Sequence, residues 1–158
     1  MNRFILLLAM VLISPTLWSQ TAEVVKFDRL ERILNSKATD IQVINFWATW
    51  CAPCVKELPF FQTLHDHHDP SLKITLVSLD FADKISNVNS FIRRKKLTPG
   101  VLLLDEPDYN SWIDRVDSHW SGAIPATLII NSATGERKFL EKALKEGELE
   151  QLILEVKN

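Results

Sequence analysis

The sequence predicts an α/β sandwich, a mixed central sheet with helices on both faces. Three observations lead there. Strand-like and helix-like periodicities alternate from about Val24, and a Thr134-Gly135 turn joins two late strand-like runs into a hairpin. The run Ile41 to Trp47 is apolar on both faces and too short for a helix, as a central strand covered on each side would be. With 158 residues, 46% of them hydrophobic, the chain suits one ordinary domain; two would leave each half too small for a core.

Taken in order, Val24 to Phe27 reads as a short strand, and Asp28 is placed to cap a helix through Leu30, Ile33 and Leu34. Ile41 to Trp47 is the central strand. Pro53 to about Asp66 reads as a helix, with Pro53 in a first turn that makes no use of its missing N–H. Leu72 to Leu79 is a strand, Lys84 to Lys95 a helix and Val101 to Leu104 a buried strand, with Asp80 placed to cap the second of these. Tyr109 to Val116 reads as helical, Ala126 to Ile130 and Arg137 to Leu140 as the hairpin, and Glu148 to Val156 as an amphipathic closing helix.

Ahead of this domain, Met1-Asn2-Arg3 carries positive charge, Phe4 to Ile13 is an unbroken apolar run, and a polar-leaning stretch follows to Gln20. That order reads as a signal peptide over residues 1–19, cleaved near Ser19, with the domain occupying 20–158. Ser14 and Pro15 interrupt the run well short of the roughly 20 apolar residues a spanning helix needs, which ranks an uncleaved anchor second. The expected location is periplasmic or secreted, where cysteine pairs can be oxidised.

Basic residues number 18 against 20 acidic ones, and this balance of −2 argues against a nucleic-acid partner or an anionic membrane surface. The chain has only 2 cysteines, both within Cys51-Ala52-Pro53-Cys54, which excludes a disulfide-stapled scaffold and a four-cysteine zinc site. Cys51 falls at a helix N-terminus, where free N–H groups and the helix dipole favour a thiolate, and Cys54 follows one turn later on the same side. Cys51 therefore reads as the exposed attacking thiol and Cys54 as the resolving one. A bridge closing so short a loop constrains the unfolded chain little, so stability is a poor reason for this spacing. Val55 stands where haem attachment would need histidine. His65, His67 and His68 lie roughly 16–20 Å along the helix from Cys51, too far for shared ligation, so neither metal nor other cofactor is expected. The basic run Arg93-Arg94-Lys95-Lys96 suits a helix C-terminus; it could dock an acidic partner, with solvation the default reading.

The segment from Val43 to Cys54 resembles the strand and redox motif of the thioredoxin superfamily, and more narrowly of the extracytoplasmic TlpA/ResA-type thiol-disulfide oxidoreductases. Ser121 to Asn131 resembles the cis-proline loop and following strand of the same family. The resemblance implies a thioredoxin-like fold, a cis Ile124–Pro125 peptide facing the Cys51 sulfur, and an Ile124 backbone turned outward to pair with an extended substrate. It implies that Pro59 kinks the redox helix and that Glu57 tunes ionisation of the cysteines. Asn45 departs from the buried aspartate of cytoplasmic thioredoxins; an amide cannot shuttle a proton, which shifts that task toward Glu57 or water. Trp50 is expected to border the docking surface. The implied activity is disulfide exchange with protein substrates, in the reducing direction, recharged by a membrane electron-donor protein and serving cytochrome c assembly, by a monomer. Two rival readings use the same residues: a thiol-based metal-binding or copper-delivery module, and a redox-inactive partner-binding domain.

Overall fold

In the computed structural model, which describes residues 20–157, six strands form one sheet in the order β1-β4-β3-β2-β5-β6. The strands are β1 (Glu23–Val25), β2 (Ile41–Trp47), β3 (Leu72–Ser78), β4 (Gly100–Leu104), β5 (Ala126–Asn131) and β6 (Arg137–Leu140). Pairings among β1, β4, β3 and β2 are parallel, whereas β5 runs antiparallel to both β2 and β6. The leader expected over residues 1–19 lies outside the described residues. Among these, no helix is long and apolar enough to cross a membrane.

Side-chain alternation along β2 divides the core. Ile41, Val43 and Trp47 face α2 (Ala52–Asp66), α3 (Ile85–Lys95) and α5 (Glu148–Lys157), whereas Ile44 and Phe46 face α1 (Phe27–Leu34) and α4 (Ile113–Val116). All of β2 is buried, as a strand central to a sheet covered on both faces must be. The β5–β6 turn is closed by Asn131, whose Oδ1 accepts the N–H groups of Ala133 (3.0 Å) and Thr134 (3.1 Å), with Gly135 at φ 80°.

Three local expectations are corrected. α1 starts at Phe27, with Lys26 at its cap position, so Asp28 sits in the first turn and caps nothing. The reason is packing: Phe27 is buried and stacks on Trp112 with ring centroids 5.9 Å apart, which draws it into the helix. The helix expected over Tyr109 to Val116 is split into a 3-10 turn, Tyr109–Ser111, and the short α4. Between them Trp112 adopts φ −138°, which sends its indole into the core, where Nε1 donates to the Glu106 carbonyl (3.1 Å). The 84–95 helix opens as a 3-10 turn, Ala82–Lys84, before α3, and Lys96 ends it in the left-handed conformation at φ 53°.

Candidate active site

The C-terminal end of β2 delivers the chain to the cysteine pair. The Trp47 carbonyl accepts from Leu79 N–H (2.8 Å), and Cys51 N–H closes a turn onto the Ala48 carbonyl (3.1 Å). The parallel register pairs Trp47 with Ser78, which sets Thr49 abreast of Asp80. One Asp80 oxygen accepts the Thr49 N–H (2.9 Å) and the Ser78 hydroxyl (2.8 Å), and the other accepts the Thr49 hydroxyl (2.6 Å). Asp80 is thus not the helix cap expected from its position. A carboxylate that is 5% exposed takes the donors beside it, and these belong to the loop that carries Trp50 and Cys51.

Cys51 is the N-cap of α2 and is joined to Cys54 by a disulfide, with Cα atoms 5.3 Å apart. Pro53 occupies the first turn, and α2 runs without a break through Pro59, whose missing N–H leaves the Val55 carbonyl without its usual helical donor. Cys54 N–H points at Cys51 Sγ (3.3 Å), a donor that stabilises negative charge on that sulfur once the bridge is reduced. Cys51 is 6% exposed and Cys54 0%. The order of access is the expected one, but in the oxidised pair Cys51 is far more covered than an exposed attacker. The Ile124 carbonyl lies 3.8 Å from its sulfur.

Ile124 belongs to the loop before β5. The Ile124–Pro125 peptide is cis, Pro125 is buried and Ile124 is half-buried. The loop is held by Glu141, just beyond β6. Its carboxylate accepts the N–H groups of Ser121 (3.2 Å) and Ala123 (2.9 Å) and the Ser121 hydroxyl. Burial pushes the Glu141 carboxyl up, but these hydrogen bonds outweigh it and hold it below the usual carboxylate value. Trp120 adds a second tie, its Nε1 donating to the Ala123 carbonyl (2.9 Å).

One turn after Cys54, Glu57 points into the core and is 1% exposed. Its Oε1 accepts from Asn45 Nδ2 (2.8 Å) and its Oε2 from the Leu144 N–H (2.7 Å). Burial raises its proton affinity above the ordinary glutamate value; the bonds from Leu144 and Asn45 oppose that shift without cancelling it. Asn45 Nδ2 also lies 3.1 Å from Thr127 Oγ1, while Asn45 Oδ1 has no hydrogen-bond partner. On the surface side Trp50 is 68% exposed, in contrast to the fully buried Trp47. Among the described residues, no group of three or more histidine, cysteine, aspartate or glutamate side chains is arranged to hold a metal ion.

Sequence reasoning brought together Cys51, Cys54, Glu57, Asn45, Ile124 and Pro125, and missed Glu141 and the Thr49–Asp80 clamp. Both signals lay in strand register. The β5–β6 pairing sets Leu140 opposite Thr127, and so Glu141 beside the loop that precedes β5.

A disulfide spanning two residues at a helix N-terminus, set beside a cis-proline loop at the end of a mixed sheet, defines a thioredoxin-like domain. Residues 23–134 match the AhpC/TSA family model, and the chain belongs to that family. It is 41% identical over 64 residues to sporulation thiol-disulfide oxidoreductase A of Bacillus subtilis, covering 39% of this chain and 38% of that protein. It is 32% identical over 109 residues to thiol-disulfide oxidoreductase ResA of Oceanobacillus iheyensis, covering 68% of this chain and 53% of that protein. The chain thus spans between about a third and a half of the length of these curated relatives. Among solved structures, StoA from Bacillus subtilis superposes with a TM-score of 0.55 at 28% identity, covering 75% of this chain and 83% of that one. A thioredoxin-related protein from Neisseria meningitidis serogroup B superposes with a TM-score of 0.66 at 21% identity, covering 77% and 88%.

Proposed function

We propose that the protein is an extracytoplasmic thiol-disulfide oxidoreductase that reduces protein disulfides through Cys51 and Cys54. The observation that carries this reading is the setting of Cys51 Sγ, 3.3 Å from the Cys54 N–H at a helix N-terminus and 3.8 Å from the Ile124 carbonyl. In the reduced protein the Cys51 thiolate attacks one sulfur of a client disulfide and expels the other as a thiolate, leaving a mixed disulfide. Cys54 gives up its proton and displaces the client's remaining sulfur, so two electrons pass to the client and the Cys51–Cys54 bridge re-forms. Glu57, one turn from Cys54 with proton affinity raised by burial, is suited to hold that proton. The Ile124 backbone and Pro125 receive an extended client segment, and Trp50 borders the place where it lies.

The likeness to the Bacillus and Oceanobacillus thiol-disulfide oxidoreductases supports disulfide exchange. Residues 1–19 act as a secretory signal peptide, which puts the domain outside the cytoplasm. The client is a protein thiol or disulfide, cytochrome c assembly is the task, a membrane protein returns the electrons, and the domain works as a monomer.

The test mixes the reduced chain with a disulfide-bridged peptide in a redox buffer set to periplasmic poise. The proposal expects the peptide to become a dithiol as the Cys51–Cys54 bridge forms, mole for mole. A chain that stays reduced in that buffer and rapidly oxidises dithiol peptides overturns the reducing direction, and uptake of Cu(I) without any exchange overturns the activity.

A further inference from the structure

Between α2 and α3 runs a groove that begins at the cysteine-bearing end of α2 and plays no part in the exchange chemistry. Its near portion, about 620 Å³, opens beside Trp50 and Ala52; the adjoining portion, about 270 Å³, continues along α2 to Asp66, and Val55 and Phe91 belong to both. Its accessible apolar surface comes from Trp50, Val55 and Pro59, which lie over the buried Leu58, Phe91 and Leu97. Its rim is cationic, formed by Lys56 from α2 and by Arg94 and Lys95 from α3.

Helix electrostatics accounts for only part of that rim. Arg94 and Lys95 suit the C-terminal turn of α3, but Lys56, past the first turn of α2, gains no such support from its helix. Among the described residues none of these three cations is in an ion pair. Arg94 instead lies 5.8 Å over the Phe91 ring, on the groove wall. Asp66, the acidic residue at the far end, already accepts from the Thr98 hydroxyl (2.5 Å). On the other side, at the ends of β3 and β4, Asp80 is buried against Thr49 and Ser78 and Asp105 is paired with Lys26 (2.9 Å), so among the described residues no comparable unpaired charge cluster faces the groove's rim there.

We infer that this groove docks an acidic segment with interspersed apolar side chains, belonging to the protein that exchanges disulfides with Cys51. The inference rests on the proposed oxidoreductase reading for the partner's identity, but the surface is defined by its own charge and shape. Apolar side chains of the segment pack on Trp50, Val55 and Pro59, and its carboxylates meet the exposed Lys56, Arg94 and Lys95. The unpaired cations on the groove rim steer an acidic partner to this side of the cysteine pair. The concave groove fits a peptide chain rather than the flat face of a bilayer.

The experiment uses the oxidised full chain and a fluorescent, cysteine-free peptide alternating Asp or Glu with Leu or Phe, beside its Asn/Gln counterpart. Binding is read by fluorescence anisotropy at low and high salt. The acidic peptide is expected to bind about tenfold more tightly than the neutral one at low salt, with the difference shrinking at high salt. Arg94→Glu with Lys95→Glu is expected to remove that difference, and Arg94→Gln with Lys95→Gln to reduce it with less effect on α3. Reduction of the small neutral bis(2-hydroxyethyl) disulfide by the reduced variants should change by less than about twofold, because neither residue touches the sulfurs. Equal binding of the two peptides, or acidic binding unaffected by both double variants, overturns the inference. So does loss of binding to phosphatidylglycerol vesicles in those variants when the acidic peptide does not compete for it. Charge-dependent binding by a chain that fails to reduce any disulfide leaves the groove standing and removes the oxidoreductase reading instead.

Discussion

Glu57 Oε1 lies 2.8 Å from Asn45 Nδ2, inside the core and one helical turn from Cys54. The pair joins the helix that carries the cysteines to the central strand, and the Leu144 N–H, 2.7 Å from the other oxygen, ties in the segment before α5. A carboxyl in this place has its proton affinity raised by burial. A proton on Glu57 would also give the unpartnered Asn45 Oδ1 a donor after rotation of the amide.

The raised affinity has a signed effect on stability. Below the ordinary value of 4.5 both folded and unfolded chains carry the proton; as pH rises from there through the higher folded value, the folded state holds it longer and loses relative stability. Glu57→Gln removes this titration. Urea midpoints measured from pH 4 upward should show the unmodified protein losing stability relative to Glu57→Gln as pH rises, and parallel curves would refute the assignment. Glu57→Ala leaves the Leu144 N–H unpaired and takes from the Asn45 amide its shortest hydrogen bond, and should cost about 1–3 kcal/mol at neutral pH.

The Thr49–Asp80 clamp predicts a different pattern. Asp80→Asn offers one carbonyl oxygen where two carboxylate oxygens serve the Thr49 N–H, the Thr49 hydroxyl and the Ser78 hydroxyl. It should lower stability by about 1–3 kcal/mol and slow peptide-disulfide reduction by about tenfold. Thr49→Val, which keeps the backbone donor, should do less on both measures. If Thr49→Val is the more damaging change, the clamp does not work through the carboxylate.

Glu141 acts on docking. Glu141→Gln weakens the hold on Ser121 and Ala123, and so should raise KM for peptide disulfides by about tenfold while leaving reduction of bis(2-hydroxyethyl) disulfide nearly unchanged. Because its folded proton affinity is lowered, the stabilisation it contributes is present above 4.5 and is lost as pH falls through the lower folded value. Thermal melts of the Glu141→Gln variant should therefore converge with those of the parent protein as the pH is brought down through that range.

Much of this was legible in the sequence because the residues concerned act locally. The bounds of β2 follow from an unbroken run of strand formers, and the place of Cys51 follows from a strand ending against a proline-marked helix start. What escaped depended on neighbours distant in sequence. Phe27 enters α1 because Trp112 waits for it, and Trp112 interrupts its own helix to reach Phe27 and Phe46. Asp80 reads as a helix cap, and Glu141 carries no signal of its own, until strand register sets one beside Thr49 and the other beside Ser121.

The central claim is that Cys51 attacks and Cys54 resolves, and the direct measurement is trapping. The reduced Cys54→Ser and Cys51→Ser variants are each incubated with a disulfide-bridged client peptide, and the covalent adducts are mapped by mass spectrometry. The account predicts a stable mixed disulfide through Cys51 in Cys54→Ser, and little or none through the fully buried Cys54 in Cys51→Ser. Equal trapping by both variants, or no adduct at a Cys51 that still reacts with iodoacetamide, would contradict it.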